Sequence, residues 1–158
     1  MKAKHIITGV LFITIGLISC KKDHVDANPR VSNQVIMHTI GQDNLYGGSS
    51  EGFIEENHVI NDSIAWNNLK TQMDAANDVT YKFNEQVIDF SQWTVIVSFD
   101  KVEMTGGHSI NYSSIVENQA NIVATIEQVH PEGPATTVIT QPYIVVKIDK
   151  TNKPILFN

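Results

Sequence analysis

The hydrophobic positions of this chain form short runs that are separated by glycine, asparagine and proline. Runs rich in β-branched and aromatic residues, with turn-forming residues at both ends, predict β-strands. Such runs cover residues 34–40, 53–60, 93–99, 112–116, 121–128 and 143–148. The run over residues 93–99 is apolar at nearly every position, which is typical of a strand buried on both faces, so we expect it at the centre of a sheet.

One segment repeats its hydrophobic residues at helical spacing instead. Trp66, Leu69 and Met73 fall on one face of a helix, and Asp62 or Ser63 can cap its first free N–H groups. A helix near residues 62–74 that packs on a sheet gives the fold class α+β: a small, mainly antiparallel β domain with one principal helix.

Two shorter segments between the predicted elements are also assigned from the sequence. Residues 44–50 contain two glycines and predict a turn, and residues 80–83 are expected to be extended.

The first twenty residues have the pattern of an export signal. A cationic start is followed by an apolar run over residues 6–19, which is shorter than the ~18 residues expected of a membrane-spanning helix. The motif Leu17, Ile18, Ser19 and Cys20 then resembles the lipobox of bacterial lipoproteins, which implies cleavage before Cys20 and acylation of its thiol. Cys20 is the only cysteine of the chain and cannot form an internal disulfide, so acylation accounts for it.

These features predict an exported, lipid-anchored protein. Lys21, where an aspartate would imply retention in the inner membrane, implies the outer membrane of a Gram-negative bacterium. The predicted organisation is a lipoprotein signal peptide over residues 1–19, an acylated tether over residues 20–34 and one α+β domain over residues 35–158. Its partner would be the lipid bilayer, contacted through the acylated Cys20.

The charge of the predicted mature protein excludes one class of partner. Loss of Lys2 and Lys4 with the signal changes the net charge from −6 to −8. A phosphate backbone is bound through a cationic surface, so we expect no nucleic acid partner.

The stretch Thr105, Gly106, Gly107, His108, Ser109 raises the question of a catalytic His/Ser pair. Adjacent residues on a strand point to opposite faces, and a nucleophile also needs a base that is oriented by a third group. We therefore expect a glycine turn at the start of a strand, with His108 and Ser109 in local hydrogen bonds to the turn backbone, and no catalytic residues.

The segment around this turn resembles the C-terminal domain of the PrcB family, which is named for a protease-complex subunit. The motifs WTVIVSFDKVEMTGGHSI and NIVATIEQVHPEGPATTVITQPYIVVKI carry the resemblance, and DSIAWNNLK is similar to the short helix of the family. The resemblance covers roughly residues 52–150 and implies an exported domain that assists a protease complex, without catalytic residues. It marks family-motif positions with an expected structural role: Thr105, Gly106, Gly107, His108, Ser109, Pro142 and Tyr143.

The remaining candidates for chemistry concern histidines and a proline-rich loop. No helical or cysteine-rich pattern for zinc is present in the sequence, and a composite site of His38, His58 and His130 is a minor alternative, so we predict no metal and no cofactor. A possible partner-contact loop, in which two prolines lower the entropic cost of ordering, comprises His130, Pro131, Glu132, Gly133 and Pro134.

Two functions therefore remain open. The first is a non-catalytic binding or assembly module of the cell envelope, with an envelope protein or a protease as its partner. The alternative is a protease inhibitor or a small hydrolase of the envelope.

Overall fold

The computed structural model describes residues 33–158, which form two four-stranded sheets and one α-helix. The predicted signal peptide and most of the predicted tether, including Cys20, lie outside the described residues. In chain order the elements are β1 (Asn33–Gln34), β2 (His38–Leu45), β3 (Glu56–Ile60), α1 (Ser63–Met73), a 3₁₀ helix (Thr80–Lys82), β4 (Trp93–Phe99), β5 (Ser109–Glu117), β6 (Ile122–Val129), β7 (Gln141–Asp149) and β8 (Ile155–Phe157).

The first sheet has the strand order β2-β7-β4-β3, with all of its strand pairs antiparallel. Both interior strands, β4 and β7, are buried along almost their whole length. The prediction of a central, doubly buried strand over residues 93–99 is therefore confirmed. We call this sheet the central sheet, because it lies between the helix and the second sheet.

The two faces of the central sheet contribute to two separate apolar cores. Val95, Val97 and Val145 pack with the helix and the preceding loops. Ile96 and Val146 point the other way and pack with residues of the second sheet. The alternation of side chains along each strand sends consecutive apolar residues to opposite faces, so an unbroken apolar run fills both cores.

The second sheet has the order β1-β5-β6-β8. Strand β8 runs parallel to β6, while β1 and β6 are both antiparallel to β5. Ile110, Tyr112 and Ile115 of β5, with Ile122 and Ala124 of β6, are buried against the central sheet. The domain is thus largely antiparallel β with one helix, which agrees with the coarse α+β prediction.

The helix begins and ends where the predicted boundaries place it. The Asp62 side chain caps it by accepting a hydrogen bond of 2.8 Å from the Ala65 amide. Trp66, Leu69 and Met73 are buried as predicted, and the Trp66 indole donates to the Gln86 carbonyl at 3.1 Å.

Three local assignments from the sequence were wrong. Strand β2 continues past Gly41 to Leu45, because its antiparallel partner β7 supplies hydrogen bonds along residues that carry no hydrophobic signal. Residues 53–55 precede β3 and do not belong to it. Residues 80–82 form a 3₁₀ helix and are not extended.

The 3₁₀ helix is held by the carboxylate that follows α1. Asp74 accepts hydrogen bonds from the Val79 amide at 2.8 Å, the Thr80 amide at 2.9 Å and the Thr80 hydroxyl at 2.6 Å. Burial would raise the pKa of the Asp74 carboxyl, but the hydrogen bonds from Thr80 and Val79 outweigh it and lower the pKa below its ordinary value. The ionised form is therefore the one that the fold stabilises.

Across residues 33–158, no helix combines the length and the hydrophobicity that crossing a bilayer would require.

We predict that Trp66→Ala lowers the free energy of unfolding by about 3–5 kcal/mol, because it empties a fully buried site between α1 and the central sheet. The control is Ile64→Ala on the exposed side of the same helix, where Ile64 is 73% exposed; its effect should stay within about 0.5 kcal/mol. Urea unfolding monitored by far-UV circular dichroism, which reports on the backbone and does not require Trp66, measures both free energies. Equal losses for the two variants would contradict the assigned helix face.

We predict that Asp74→Asn lowers the free energy of unfolding by about 2 kcal/mol at pH 7, because a charged acceptor of three hydrogen bonds is lost. Since folding lowers the pKa, the stabilisation is complete above the ordinary value of 3.8 and is lost as the pH falls through the lower folded-state pKa. Urea unfolding at a series of pH values should therefore show the stabilities of the two proteins converging as the pH falls below 3.8 and through the folded-state pKa. Exposed Asp78→Asn is the control, and a gap that persists unchanged into acid would refute this origin.

Candidate functional site

Three loops meet at one end of the domain. The strand register places the ends of β2 and β4 and the starts of β3 and β7 at the same edge, as the pairs Leu45↔Gln141 and Glu56↔Phe99 record. The second sheet contributes the start of β5 and the end of β6. We call this edge, with residues 46–55, 100–108 and 130–140, the loop end.

The glycine turn packs directly against the predicted partner-contact loop and the residues after it. The Gly106 amide donates a hydrogen bond of 3.0 Å to the Thr136 carbonyl. A Cβ atom at Gly106 would lie 2.5 Å from the Thr136 Oγ1 and 2.9 Å from the Val138 Cγ1, closer than real Cβ contacts. Gly107 has a φ of +87°, a left-handed conformation that favours glycine. The turn thus needs glycine both for its own bend and for the neighbouring loop.

Two further contacts join the same loops. Glu103 and Thr140 form an antiparallel bridge, with backbone hydrogen bonds of 2.7 and 2.9 Å. The Thr140 hydroxyl donates to the Thr105 carbonyl at 2.9 Å. The backbone on both sides of the glycine turn is therefore tied to residues 136–140.

The side chain of His108 is at the centre of a small polar cluster. Its Nε2 atom lies 2.9 Å from the Thr105 Oγ1, and its Nδ1 atom lies 3.2 Å from the Nδ1 of His130. The same Nδ1 is 3.6 Å from the Glu103 Oε1. Among the side-chain hydrogen bonds of residues 33–158, none joins His108 to Ser109, which starts β5. The His108 ring therefore contacts the side chains of Thr105 and of His130 in the second loop, and not the turn backbone as was expected from the sequence.

The composite histidine site considered from the sequence does not form. His38 packs edge-on against Trp93 at 5.4 Å, and His58 packs against Phe53 and Phe99. Within residues 33–158, the group of potential metal-ligating side chains that the fold brings together is Glu103, His108 and His130.

Sequence reasoning missed this group because Glu103 was not considered and His108 was not paired with His130. The pairing of β5 with β6 in a hairpin brings the two histidines together, because Ser109 lies opposite Val129. One further residue at the open ends of the observed strands places His108 opposite His130, whereas the predicted strands, 112–116 and 121–128, end four residues from His108 and two residues from His130.

Beneath the loop end, a buried amide connects the loops to the central sheet. Gln141 Nε2 donates to the Asp100 carbonyl at 2.9 Å and to the Phe53 carbonyl at 3.2 Å. The Asp100 carboxylate, itself buried, accepts from Gln128 at 2.9 Å. One side chain at the start of β7 therefore fixes two of the three loops.

The two other family-motif positions lie next to this amide. The Pro142 carbonyl accepts a hydrogen bond of 2.9 Å from the Asp100 amide. Tyr143 is buried in the core against Phe83 and Phe99, and burial raises the pKa of its phenol. Both residues contact the interior of the protein.

Apolar side chains are exposed around the polar cluster. Met104 is 70% exposed, and Val138 and Ile139 are 38% and 42% exposed. Met104 and Ile139 adjoin the bridge of Glu103 and Thr140, and Gly48 approaches Ile139. The predicted partner-contact loop is itself exposed from Glu132 to Pro134. The loop end therefore combines a hydrogen-bonded frame with accessible apolar groups.

Comparison with protein-family models matches residues 94–149 to the family described as PrcB C-terminal. The matched segment contains β4 to β7, the glycine turn and both histidines of the cluster. Neither the search of curated proteins nor the search of solved structures gave a match for the chain.

We predict that Gly106→Ala destabilises the domain by about 1–3 kcal/mol and loosens residues 130–138, because the new methyl group would overlap Thr136 and Val138. Adding Thr136→Ala and Val138→Ala removes the overlapping atoms and should restore part of the lost stability. Urea unfolding measures the stability, and the rate of limited proteolysis within residues 130–138 measures the loosening. Unchanged proteolysis in Gly106→Ala would show that the packing of the two loops does not depend on this position.

Proposed function

Residues 94–149 belong to the PrcB C-terminal family, and from that premise we propose that the chain is an envelope lipoprotein with a non-catalytic binding or assembly domain. Its acylated Cys20 holds it on the outer membrane, and its loop end binds an envelope protein, with a protease complex as the first candidate. The name of the family supports the link to a protease complex.

The observation that carries the proposal is the position of the loop end relative to the N-terminal strand. Asn33 pairs with Glu117 at the end of β5, whereas the loop end adjoins Ser109 at the start of β5. The first and last of the nine residues of β5 are about 26 Å apart, at about 3.3 Å per step. A lipid attached upstream of Asn33 therefore joins the domain at the end opposite the loops, which leaves the loop end free to face a partner.

The exposed side chains at the loop end support a protein partner. Aliphatic groups such as Met104, Val138 and Ile139 bury apolar area when a second protein covers them, and that burial favours association. The bridge between Glu103 and Thr140 fixes the backbone next to these side chains, so little ordering entropy is lost on binding.

Two alternatives have a specific observation of their own. Inhibition of a protease would use the exposed loop around Gly133. No atom lies within 4 Å of the position that a Cβ would occupy at Gly133, so a protease could approach this point of the loop. A small hydrolase would use the Thr105 hydroxyl, the His108 imidazole and the Glu103 carboxylate, which lie next to one another in that order in space. We favour the binding module, because His108 Nδ1 lies closer to His130, at 3.2 Å, than to Glu103, at 3.6 Å, and because the exposed apolar side chains of the loop end suit a protein partner.

The experiment is a pull-down from native membranes with the full chain and the double variant Val138→Asp/Ile139→Asp. Charges on these two side chains should reduce recovery of the partner by at least about tenfold, since they would be buried without a counter-charge. The matched control is Ile64→Asp on the exposed face of α1, which should recover the partner like the wild type. Equal recovery with the double variant would place the contact elsewhere and refute the loop end as the binding surface.

Labelling with a palmitate analogue in the same cells tests the anchor. The wild type should incorporate the label and partition into the membrane fraction, while Cys20→Ala should do neither. Wild-type protein without label would overturn the lipoprotein assignment.

Addition of the purified protein to the recovered protease separates the alternatives, because a fall in proteolysis that depends on residues 130–134 would indicate an inhibitor.

A further inference from the structure

Three potential metal ligands from two loops converge at the loop end. His108 Nδ1 lies 3.2 Å from His130 Nδ1 and 3.6 Å from Glu103 Oε1, and the three donor atoms all lie within 4.8 Å of one another. A tetrahedral zinc ion with bonds of about 2.0–2.1 Å holds neighbouring ligand atoms about 3.3–3.4 Å apart. The two measured separations fall on either side of that value, so small rotations of the side chains suffice to enclose an ion.

The contact between His108 Nε2 and the Thr105 hydroxyl is of the kind that a metal-binding histidine makes with its second ring nitrogen. A histidine that binds a metal through Nδ1 carries its proton on Nε2, and that N–H is normally held by a hydrogen-bond acceptor. His108 Nε2 lies 2.9 Å from the Thr105 hydroxyl, which can accept that proton. The Thr105 carbonyl is in turn held by Thr140. This contact is compatible with the tautomer in which Nε2 carries the proton, which leaves the Nδ1 lone pair on the side of His130 and Glu103 to bind an ion.

The carboxylate of the cluster has no hydrogen-bond donor among the described residues. Glu103 Oε1 is inaccessible to solvent and makes no hydrogen bond there, although Lys101 Nζ lies 3.5 Å away and His108 Nδ1 lies 3.6 Å away. A buried carboxylate oxygen without a donor is costly. A cation between Glu103 and the two histidines would offset that cost. The Lys101 side chain is 57% exposed, so it can move away when an ion binds.

We propose that Glu103, His108 and His130 bind a divalent transition metal ion, with Zn²⁺ as the best match. Two imidazole nitrogens and one carboxylate oxygen suit zinc, whereas Ca²⁺ and Mg²⁺ prefer oxygen ligands throughout. Three protein ligands leave a fourth position open, and exposed His130 places that position towards solvent. A water molecule or a donor side chain of a bound protein can fill it.

The ion would join the two loops that the glycine turn already holds together. Glu103 and His108 belong to the loop before β5, and His130 belongs to the loop after β6. Metal binding would therefore stiffen the loop end and stabilise the whole domain through mass action. The site is independent of the proposed function, because its ligands and its thermodynamic effect do not require a partner or a lipid.

The test uses the untagged full chain in detergent, stripped with a chelator and titrated with Zn²⁺ against a chromogenic competitor. We expect one tight site per chain, a rise in Tm with Zn²⁺, and an intense visible spectrum when Co²⁺ occupies the site in tetrahedral geometry. Ca²⁺ and Mg²⁺ should leave Tm unchanged. Absence of saturable Zn²⁺ binding, or an equal rise in Tm with Ca²⁺, would overturn the proposal.

Three variants assign the ligands. His130→Gln changes an exposed side chain, so it should fold like the wild type without metal yet bind Zn²⁺ at least about tenfold more weakly. Thr105→Val should weaken binding about tenfold through the lost contact to His108 Nε2, and His58→Gln is the matched control that keeps the site intact. If His130→Gln binds Zn²⁺ like the wild type, the three side chains form a hydrogen-bonded cluster only.

Discussion

The burial of the central sheet on both faces is the constraint on which the rest of the structure depends. Strands β4 and β7 occupy its interior positions, where one face packs on α1 and the other on the second sheet. Both strands must then be apolar at consecutive positions, and Val95, Ile96 and Val97 meet that requirement. Because β4 pairs with β7 along the whole length of β4, the end of β4 and the start of β7 fix where the loops at residues 100–108 and 130–140 meet the sheet.

Polar groups inside this layered structure are retained where they connect elements. Ser98 on β4 donates to the Asn57 Oδ1 at 2.5 Å and lies 2.6 Å from the Tyr112 hydroxyl. This chain of three side chains links the edge strand β3, the interior strand β4 and the second sheet. Burial raises the pKa of the Tyr112 phenol, so the hydroxyl stays protonated and available for hydrogen bonding. Gln141 has the same connecting role at the loop end, where it holds Asp100 and Phe53.

The elements that were predicted well from the sequence are those whose own side chains, by burying apolar area, offset the conformational entropy lost when the segment is ordered. The unbroken apolar run of β4 and the face formed by Trp66, Leu69 and Met73 each bury enough area to determine a local structure. The C-terminal half of β2 lacks such a signal, since Gln42 and Asp43 are polar and are extended because β7 pairs with them. The 3₁₀ helix depends likewise on Asp74, a side chain outside the segment that it orders.

The candidate site was harder to predict because its members are separated along the chain and are brought together by strand register. The glycine turn and the residues near Pro134 were both identified, but as unrelated features. Their contact depends on the missing side chain at Gly106, which lets Thr136 approach closely. The register of β5 with β6 places His130 beside His108 next to this contact, so strand pairing, which the sequence pattern does not specify, determines which polar groups meet.

The two proposed properties, anchoring and metal binding, are assigned to different parts of the chain. Cys20 lies far upstream of the family segment, whereas Glu103, His108 and His130 all lie within residues 94–149. The proposed anchor depends on Cys20, which lies outside residues 33–158, so none of the contacts described for the domain involves it. The proposed metal ligands depend on the packing of the domain, because the strands next to them, β5 and β6, also form the wall of one apolar core. The proposed metal site therefore depends on the fold itself, while the proposed attachment to a membrane depends on the segment that precedes it.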